Sequence, residues 1–231
     1  VKLSVIIPAH NEEATIDEVI EQVRAVDLGD VALEIIVVDD ASTDSTVRKL
    51  AARAGQPGIK VLTHPANRGK GAAIRTGLSS VTGDMVLIQD ADLEYDPKDY
   101  PRLVAPIIEG RADVVYGSRF AGRRENMAFA NLVANKVLAW TASLLYGKRI
   151  TDEATCYKVF ATDVLRSFKL SCERFEFCPE ATAKTLRGGY RLVEVPISYH
   201  ARTVEAGKKI RAFDGLVAIW TLLRFRFKRL S

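Results

Sequence analysis

Hydrophobic positions along this chain fall in short β-branched runs separated by longer stretches where apolar residues recur every three or four positions. The runs are Leu3–Ile7, Glu34–Val38, Ile59–Leu62, Met85–Ile88 and Val114–Tyr116, with a further strand-like segment at Arg191–Val195 before Pro196. Amphipathic stretches near 12–26, 44–54, 70–80 and 98–109 lie between them, and the pattern predicts two more helices over 126–147 and 175–187. Strand and helix alternating at this spacing predict an α/β chain with a mainly parallel central sheet and helices on both faces, because parallel strands need crossover connections. In such sheets ligands meet the carboxyl ends of the strands, so the residue after each run is the place to look for chemistry.

Those strand ends are polar. Ala9-His10-Asn11-Glu12-Glu13 follows the first run, Asp39-Asp40-Ala41-Ser42-Thr43-Asp44 the second, Gln89-Asp90-Ala91-Asp92-Leu93-Glu94 the fourth and Gly117-Ser118-Arg119 the fifth. Asp and Ser also cap helices and shape turns, and Ser42 or Asp44 can be doing only that. Capping does not account for all the loops together. Asp90 and Asp92, two carboxylates at i and i+2 released from a buried strand, suit one hard divalent cation shared with substrate phosphates, so Mg²⁺ or Mn²⁺ is expected there. Asn67-Arg68-Gly69-Lys70-Gly71 resembles a phosphate-cradling loop, although an ordinary strand-to-helix turn explains it nearly as well. It lacks P-loop spacing, and no G-x-G-x-x-G follows the first strand, which disfavours a nucleoside triphosphatase and a dinucleotide-dependent dehydrogenase.

Composition changes this picture little. The chain has 231 residues, 48% hydrophobic and 27% charged, as in ordinary globular proteins rather than disordered, collagenous or disulfide-built ones. No Pro-, Gly- or Ser-rich linker divides it, so one domain is expected over 1–231. Cys156, Cys172 and Cys178 form no C-x-x-C pair and fit reduced thiols in a cytosolic setting. Cys156 reads as a small buried residue rather than a nucleophile. With 33 Lys and Arg against 29 Asp and Glu, the net charge of +4 gives no sign of a nucleic-acid partner. Val1–Pro8 leads directly into a strand, so no signal peptide is expected, and no stretch reaches the roughly 18 apolar residues of a membrane span. A C-terminal helix over 213–231 places Leu216, Trp220, Leu223, Phe227 and Leu230 on one stripe, with Arg224, Lys228 and Arg229 elsewhere. Such a helix suits either a lipid interface or docking on the sheet or on a second subunit in a homodimer.

Taken in order, the loops after the strands, together with Asp152-Glu153-Ala154-Thr155-Cys156-Tyr157-Lys158, resemble those of family 2 glycosyltransferases. They are most similar to the dolichyl-phosphate mannose synthases and their bacterial polyprenyl-phosphate relatives. The resemblance covers nearly the whole chain and implies a GT-A fold, a nucleotide-sugar donor, a divalent metal and inversion at the anomeric carbon. It implies a nucleotide-sugar-binding half over 1–120, with Pro8, His10 and Glu12 walling the nucleoside, Asp40 on the base, and Lys70, Asp90, Ala91 and Asp92 along the donor. Asp90, Asp92 and Glu94 would form the metal shell, Glu94 standing where the mannose synthases commonly carry Gln. An acceptor half over 121–212 would use Arg119, Asn135, Arg202, Lys208 and Lys209 on the acceptor phosphate. Asn131 and Asn135 depart from the Arg and Ser that the mannose synthases tend to place there.

A phosphate monoester acceptor is already ionised near neutral pH and needs orientation and cations more than a base, a task that suits Arg119 and Arg202. A sugar hydroxyl acceptor would need a carboxylate base, and Glu94 or Asp152 would be the first candidates. The expected activity is transfer of a hexose-type sugar from a UDP- or GDP-linked donor to a polyprenyl phosphate at the cytoplasmic membrane face. Asp92, Glu94, Arg119, Asp152 and Arg202 are its expected catalytic residues. A soluble acceptor is the nearest rival reading, followed by a non-catalytic nucleotide-sugar-binding scaffold. A nucleotidyltransferase is disfavoured, because Pro8-Ala9-His10-Asn11-Glu12 occupies the place of its Gly-rich basic loop.

Overall fold

The apolar runs at Leu3–Ile7, Met85–Ile88 and Val114–Tyr116 form strands covered on both faces, which is why they read as continuous rather than alternating. The computed structural model describes residues 1–122, 124–201 and 212–228. The elements in chain order are β1 (Lys2–Ala9), α1 (Ile16–Arg24), β2 (Ala32–Asp39), α2 (Thr46–Arg53), β3 (Ile59–Thr63), α3 (Lys70–Leu78), β4 (Met85–Ile88), α4 (Tyr100–Ile108) and β5 (Val114–Ser118). They continue with β6 (Arg124–Glu125), α5 (Phe129–Tyr146), β7 (Lys158–Ala161), α6 (Thr162–Ser167), α7 (Phe177–Arg187), β8 (Leu192–Pro196), β9 (Tyr199–His200) and α8 (Ala212–Phe227).

Seven strands form one sheet in the order β3-β2-β1-β4-β7-β5-β8, and β6 pairs with β9 in a small second sheet. All pairings in the large sheet are parallel except those of β7, which runs antiparallel to both β4 and β5. Leu3, Val5, Ile6 and Ile7 of β1, Val86–Ile88 of β4 and Val114–Tyr116 of β5 all belong to one fully buried core.

β7 has no counterpart among the predicted elements. It is four residues long and begins with a lysine, Lys158, so neither periodicity nor composition marks it. Its reversed direction matters for the site: the segment leading into β7 lies at the carboxyl edge of its parallel neighbours. That segment carries Asp152 to Tyr157.

The C-terminal helix α8 packs on the rest of the chain, against α5 and α7. It docks on the chain through Thr221, Leu222 and Phe225, which are buried. Tyr146 Oη donates to the Leu222 carbonyl (2.6 Å), and Arg187 donates to the carbonyls of Phe225 and Lys228 at its last turn. The predicted stripe is a different face: Leu216, Trp220 and Phe227 are 65%, 66% and 79% exposed. Leu230 and Arg229 lie outside the described residues. Beside α8, α5 turns Phe129, Val133, Val137, Trp140 and Leu144 outward. Among the described residues no helix is long and apolar enough to cross a membrane.

At the amino end of the sheet, Glu34 ties β2 to β1 and to the turn before β4. Its carboxylate accepts from Lys2 Nζ (2.7 Å), from the Ser4 hydroxyl, and from the amide and hydroxyl of Thr82 (both 2.7 Å). Burial pulls its pKa up, but the hydrogen bonds from Lys2, Ser4 and Thr82 outweigh it and hold the carboxyl at about 2, against 4.5 ordinarily. A depressed carboxyl stabilises the fold above its unfolded pKa and loses that contribution as pH falls through the folded value. Urea unfolding should therefore show wild type more stable than Glu34→Gln near pH 7. The difference should shrink between pH 4.5 and about 2.

Candidate active site

The carboxyl edge of the sheet is built from loops that hold one another. After β1, His10 Nδ1 donates to the Asp40 carbonyl (2.9 Å), the Asn11 side chain accepts from the Thr43 amide (2.7 Å), and the Glu12 amide donates to Thr46 Oγ1 (2.9 Å). Pro8 pairs in register with Val38 at the end of β2. The two aspartates after that run have separate fates. Asp40 accepts from His64 Nδ1 (2.7 Å) and the Arg68 amide (2.8 Å) with one oxygen, and from the Gly69 amide (2.7 Å) with the other. Burial raises its pKa, but these hydrogen bonds prevail and keep it low. Asp39 is buried too, yet only its Oδ1 is used, by the Ser42 amide (3.1 Å), and Oδ2 has no partner. An unpaired buried acceptor is costly and uncommon in folded proteins.

The Asn67–Gly71 loop is arranged around an anion of the chain itself, the Asp40 carboxylate, rather than left open as a phosphate cradle. The amides of Arg68 and Gly69 serve Asp40, and those of Gly71 and Ala72 donate to the carbonyls of Arg174 and Glu173 (2.9 Å each). Gly69 has φ +92°, and a Cβ there would sit 2.5 Å from the Glu173 carbonyl oxygen, so only glycine fits. The loop presents the side chain of Lys70 instead. Its Nζ lies 2.5 Å from Asp90 Oδ1 and 3.5 Å from Cys156 Sγ. Burial works against the ammonium, but Asp90 more than offsets it and holds Lys70 well above its ordinary pKa.

Asp90 itself is set by Gln89, which sequence reasoning missed because a buried glutamine at a strand end carries no motif. Gln89 Oε1 accepts from the hydroxyls of Tyr100 and Tyr157 (2.7 Å each), and its Nε2 donates to the Asp90 carbonyl (2.9 Å). Ala91 is anchored across the edge by the Thr15 hydroxyl, which donates to its carbonyl (2.6 Å). Asp92 Oδ1 accepts from the Glu94 amide (3.2 Å), and Glu94 Oε2 accepts from Tyr199 Oη (2.7 Å). Asn11, Ala41 and Leu93 all have positive φ (52°, 55° and 61°), one in each of the three loops. For Ala and Leu this conformation costs on the order of 1–3 kcal/mol and persists where the surroundings over-determine it, typically at functional sites.

Two hard carboxylates at Asp90 and Asp92 fit Mg²⁺ or Mn²⁺, which are commonly held by one or two carboxylates with substrate phosphates and water completing the shell. Among the described residues, no three His, Cys, Asp or Glu side chains gather into a metal cage. Glu94, expected in the metal shell, has its Oε2 turned to Tyr199.

Arg119 and Asp152 meet as a buried bidentate pair, Nε to Oδ2 and Nη2 to Oδ1 both 2.7 Å, with the Arg119 amide also on Oδ2 (2.9 Å). Asp152 is fully buried, so its carboxylate is turned to Arg119 rather than to a ligand. The Cys156 thiol is buried and pushed up in pKa by that burial, an inert environment. Asn135 stands half-buried on α5, away from these loops in sequence and in a different element. Arg202, Lys208 and Lys209 lie outside the described residues.

Residues 4–169 match the family described as glycosyl transferase family 2, and the chain belongs to that family. It is similar to the dodecaprenyl-phosphate galacturonate synthase of Rhizobium johnstonii, with 28% identity over 97% of this chain and 68% of that protein. It is also similar to the dolichol-phosphate mannosyltransferase of Pyrococcus furiosus, with 29% identity over 97% of this chain and 64% of that protein. The chain thus spans about two-thirds of the length of these relatives, and 52% of a Haloferax volcanii hexosyltransferase of low-salt glycan biosynthesis. Among solved structures, glucosyl-3-phosphoglycerate synthase of Mycobacterium tuberculosis, bound to Mn²⁺, UDP and phosphoglyceric acid, matches with TM-score 0.74 and 25% identity over 100% of this chain and 80% of that one. The expected mainly parallel GT-A fold is the one observed.

Removing one partner of a buried pair leaves the other charge uncompensated, at a cost of about 3–5 kcal/mol, whereas replacing both with apolar residues is often nearly neutral. Asp152→Asn should therefore lower unfolding stability by about that amount in urea titrations, and the double change Arg119→Met, Asp152→Leu should recover most of it.

Proposed function

We propose that this chain is the catalytic unit of an inverting glycosyltransferase that moves a sugar from a nucleoside diphosphate donor to a phosphate-bearing acceptor, assisted by Mg²⁺ or Mn²⁺. The observation that carries this reading is the convergence of Asp39, Lys70, Asp90 and Asp92 on one sheet edge. The unpaired Asp39 Oδ2 suits an N–H of the donor base, while Asp40 acts one step removed by fixing the 67–70 loop. Asp90 and Asp92 would hold the cation, which when bound neutralises charge on the departing diphosphate. Lys70, firmly protonated, adds a second positive group on that side. Asp152 holds the Arg119 guanidinium in place and is closed to any acceptor by its burial and its two bonds.

The acceptor falls into one of two classes. A soluble phosphorylated acid has the support of the solved-structure match, a complex with Mn²⁺, UDP and phosphoglyceric acid. A polyprenyl phosphate has the support of the named relatives and of the outward apolar residues of α5 and α8, which suit a peripheral position at the cytoplasmic face of a membrane. With a hydroxyl acceptor, Glu94 is the remaining candidate base, since Asp152 is enclosed. A phosphate oxygen as nucleophile needs none.

A donor panel decides. Purified protein with Mn²⁺ and each common UDP- and GDP-sugar is offered either 3-phosphoglycerate or undecaprenyl phosphate in detergent, and labelled sugar is followed into the water-soluble or the lipid product. Transfer to one of them is expected, with loss of anomeric configuration retention and a fall of roughly 100-fold or more in Asp92→Asn. Transfer that continues undiminished in Asp92→Asn would sink the metal-assisted reading.

A further inference from the structure

The loop that carries Asp90 and Asp92 ends in a strained turn that is held from outside. Leu93 has φ 61°, a left-handed conformation that bulky side chains rarely adopt. On one side of it the Glu94 amide donates to Asp92 Oδ1 (3.2 Å), so the backbone angle at Leu93 sets where the Asp92 carboxylate sits. On the other side β9 grips Glu94 at two atoms. The His200 amide donates to the Glu94 carbonyl (2.9 Å), and Tyr199 Oη donates to Glu94 Oε2 (2.7 Å). Tyr199 also forms a backbone bridge with Tyr95, the residue after Glu94.

The ring and the hydroxyl of Tyr199 have separate uses. The ring packs edge-on against Tyr95, centroids 5.2 Å apart, and lies 5.1 Å from the Arg119 guanidinium carbon, contacts that a phenylalanine would make nearly as well. The hydroxyl is another matter: a buried O–H costs free energy unless it is bonded, and this one is committed to Glu94. Burial and the Glu94 carboxylate push the phenol up in pKa, so it stays a donor across the working pH range. Tyr95 fastens the other flank of the loop. Its hydroxyl accepts from the Cys156 amide (3.0 Å), and its ring tilts against Tyr157 with centroids 4.7 Å apart. The 90–95 segment is thus tied by Tyr95 to the strand entry before β7 and by Tyr199 to β9.

We infer that Tyr199 is a positioning residue for the metal carboxylate Asp92: its hydroxyl pins Glu94, the pinned Glu94 keeps Leu93 left-handed, and Leu93 in turn fixes the Asp92 carboxylate that would hold the cation. The inference rests on the metal-assisted glycosyltransferase reading and makes its cation site dependent on β9, a strand of the small second sheet. Glu94 then has a use that requires neither metal ligation nor proton transfer. Groups that orient a metal ligand without touching the metal commonly control its affinity as strongly as the ligand itself.

Tyr199→Phe deletes the hydroxyl and keeps the ring. Mn²⁺ binding in the presence of saturating UDP is followed by loss of the free-ion electron paramagnetic resonance signal, and should weaken about tenfold in this variant. Tyr116→Phe is the control for simple loss of stability, since it removes a buried hydroxyl on β5 that meets Thr182 of α7 (2.9 Å). It should lower the unfolding temperature and leave Mn²⁺ binding unchanged. Adding Leu93→Gly to Tyr199→Phe should recover most of the lost Mn²⁺ affinity without raising the unfolding temperature, because glycine adopts the left-handed conformation unaided. A merely structural hydroxyl gives no such recovery. Unchanged Mn²⁺ binding in Tyr199→Phe, an equal loss in Tyr116→Phe, or no recovery on adding Leu93→Gly each overturns the inference. A Tyr199→Phe chain that does not fold overturns it too, since the hydroxyl would then serve the fold as a whole. If wild type binds Mn²⁺ with UDP and the variants behave in any of these ways, this inference alone fails; if wild type binds no Mn²⁺ beside UDP, the metal-assisted reading fails with it.

Discussion

An arginine and an aspartate that both leave water must find each other in near-ideal geometry, because stripping either charge of its hydration costs several kcal/mol. Arg119 and Asp152 meet that demand with two parallel bonds and a third from the Arg119 amide. The pair joins the end of β5 to the segment entering β7, and it can form only because β7 runs against its neighbours and starts at the ligand edge. The same segment is held from within by Lys158, fully buried, whose ammonium donates to the carbonyls of Glu153 (2.6 Å) and Thr155 (2.8 Å). From outside it is held by Glu194, which accepts from the amides of Thr151 and Asp152. One reversed strand thus places Asp152 against Arg119, Cys156 against Lys70, and Tyr157 against Gln89.

The donor side of the edge is built in the same manner, by groups whose hydrogen bonds are spent on positioning other groups. Asp40 commits its carboxylate to the Arg68 and Gly69 amides and to His64, whose other nitrogen meets the Thr76 hydroxyl (2.8 Å). Glu180 on α7, almost fully buried, accepts from the Ser171 and Cys172 amides (2.8 and 2.7 Å), which fixes the carbonyls that close the start of α3. Fixed dipoles of this kind do not have to reorganise when charge appears beside them, which is what makes a polar edge effective in group transfer. The left-handed Ala41 and Leu93 are tolerated because so many neighbours define their loops.

How far the sequence reached follows from what each element is made of. The parallel strands were legible because burial on both faces leaves an unbroken apolar run, and the helices between them because one buried stripe recurs with helical period. β7 was not, since four residues headed by a lysine look like loop, and the two-residue strands β6 and β9 have no pattern to read. Polar strand ends could be located, but adjacent aspartates could not be told apart. Asp39 and Asp40 differ only in which way the backbone turns after β2, and that depends on His64 and on the 67–69 loop. Arg119 and Asp152 read as two separate catalytic groups because their pairing crosses 33 residues. The α8 stripe was seen, while its second apolar face, the one that docks, was hidden by a helix that is apolar nearly all round.

α5 shows most clearly the difference between what the fold requires and what the surface carries. Only Leu138, Ala139 and Ala142 of this helix are buried, and they suffice to seat it on the rest of the chain. Nothing in that packing calls for Phe129, Val133, Val137, Trp140 and Leu144 on the opposite side, where charged residues would improve solubility at no cost to the core. Together with Leu216, Trp220 and Phe227 of the neighbouring α8 they put two tryptophans and two phenylalanines in water on adjacent helices. Scattered apolar side chains on a surface mean little, but an apolar face shared by two packed helices marks contact with something apolar. The sheet edge accounts for the polar half of a group-transfer reaction. The apolar face of α5 and α8 is required neither by the core nor by that edge, and packing within the described residues leaves it uncovered.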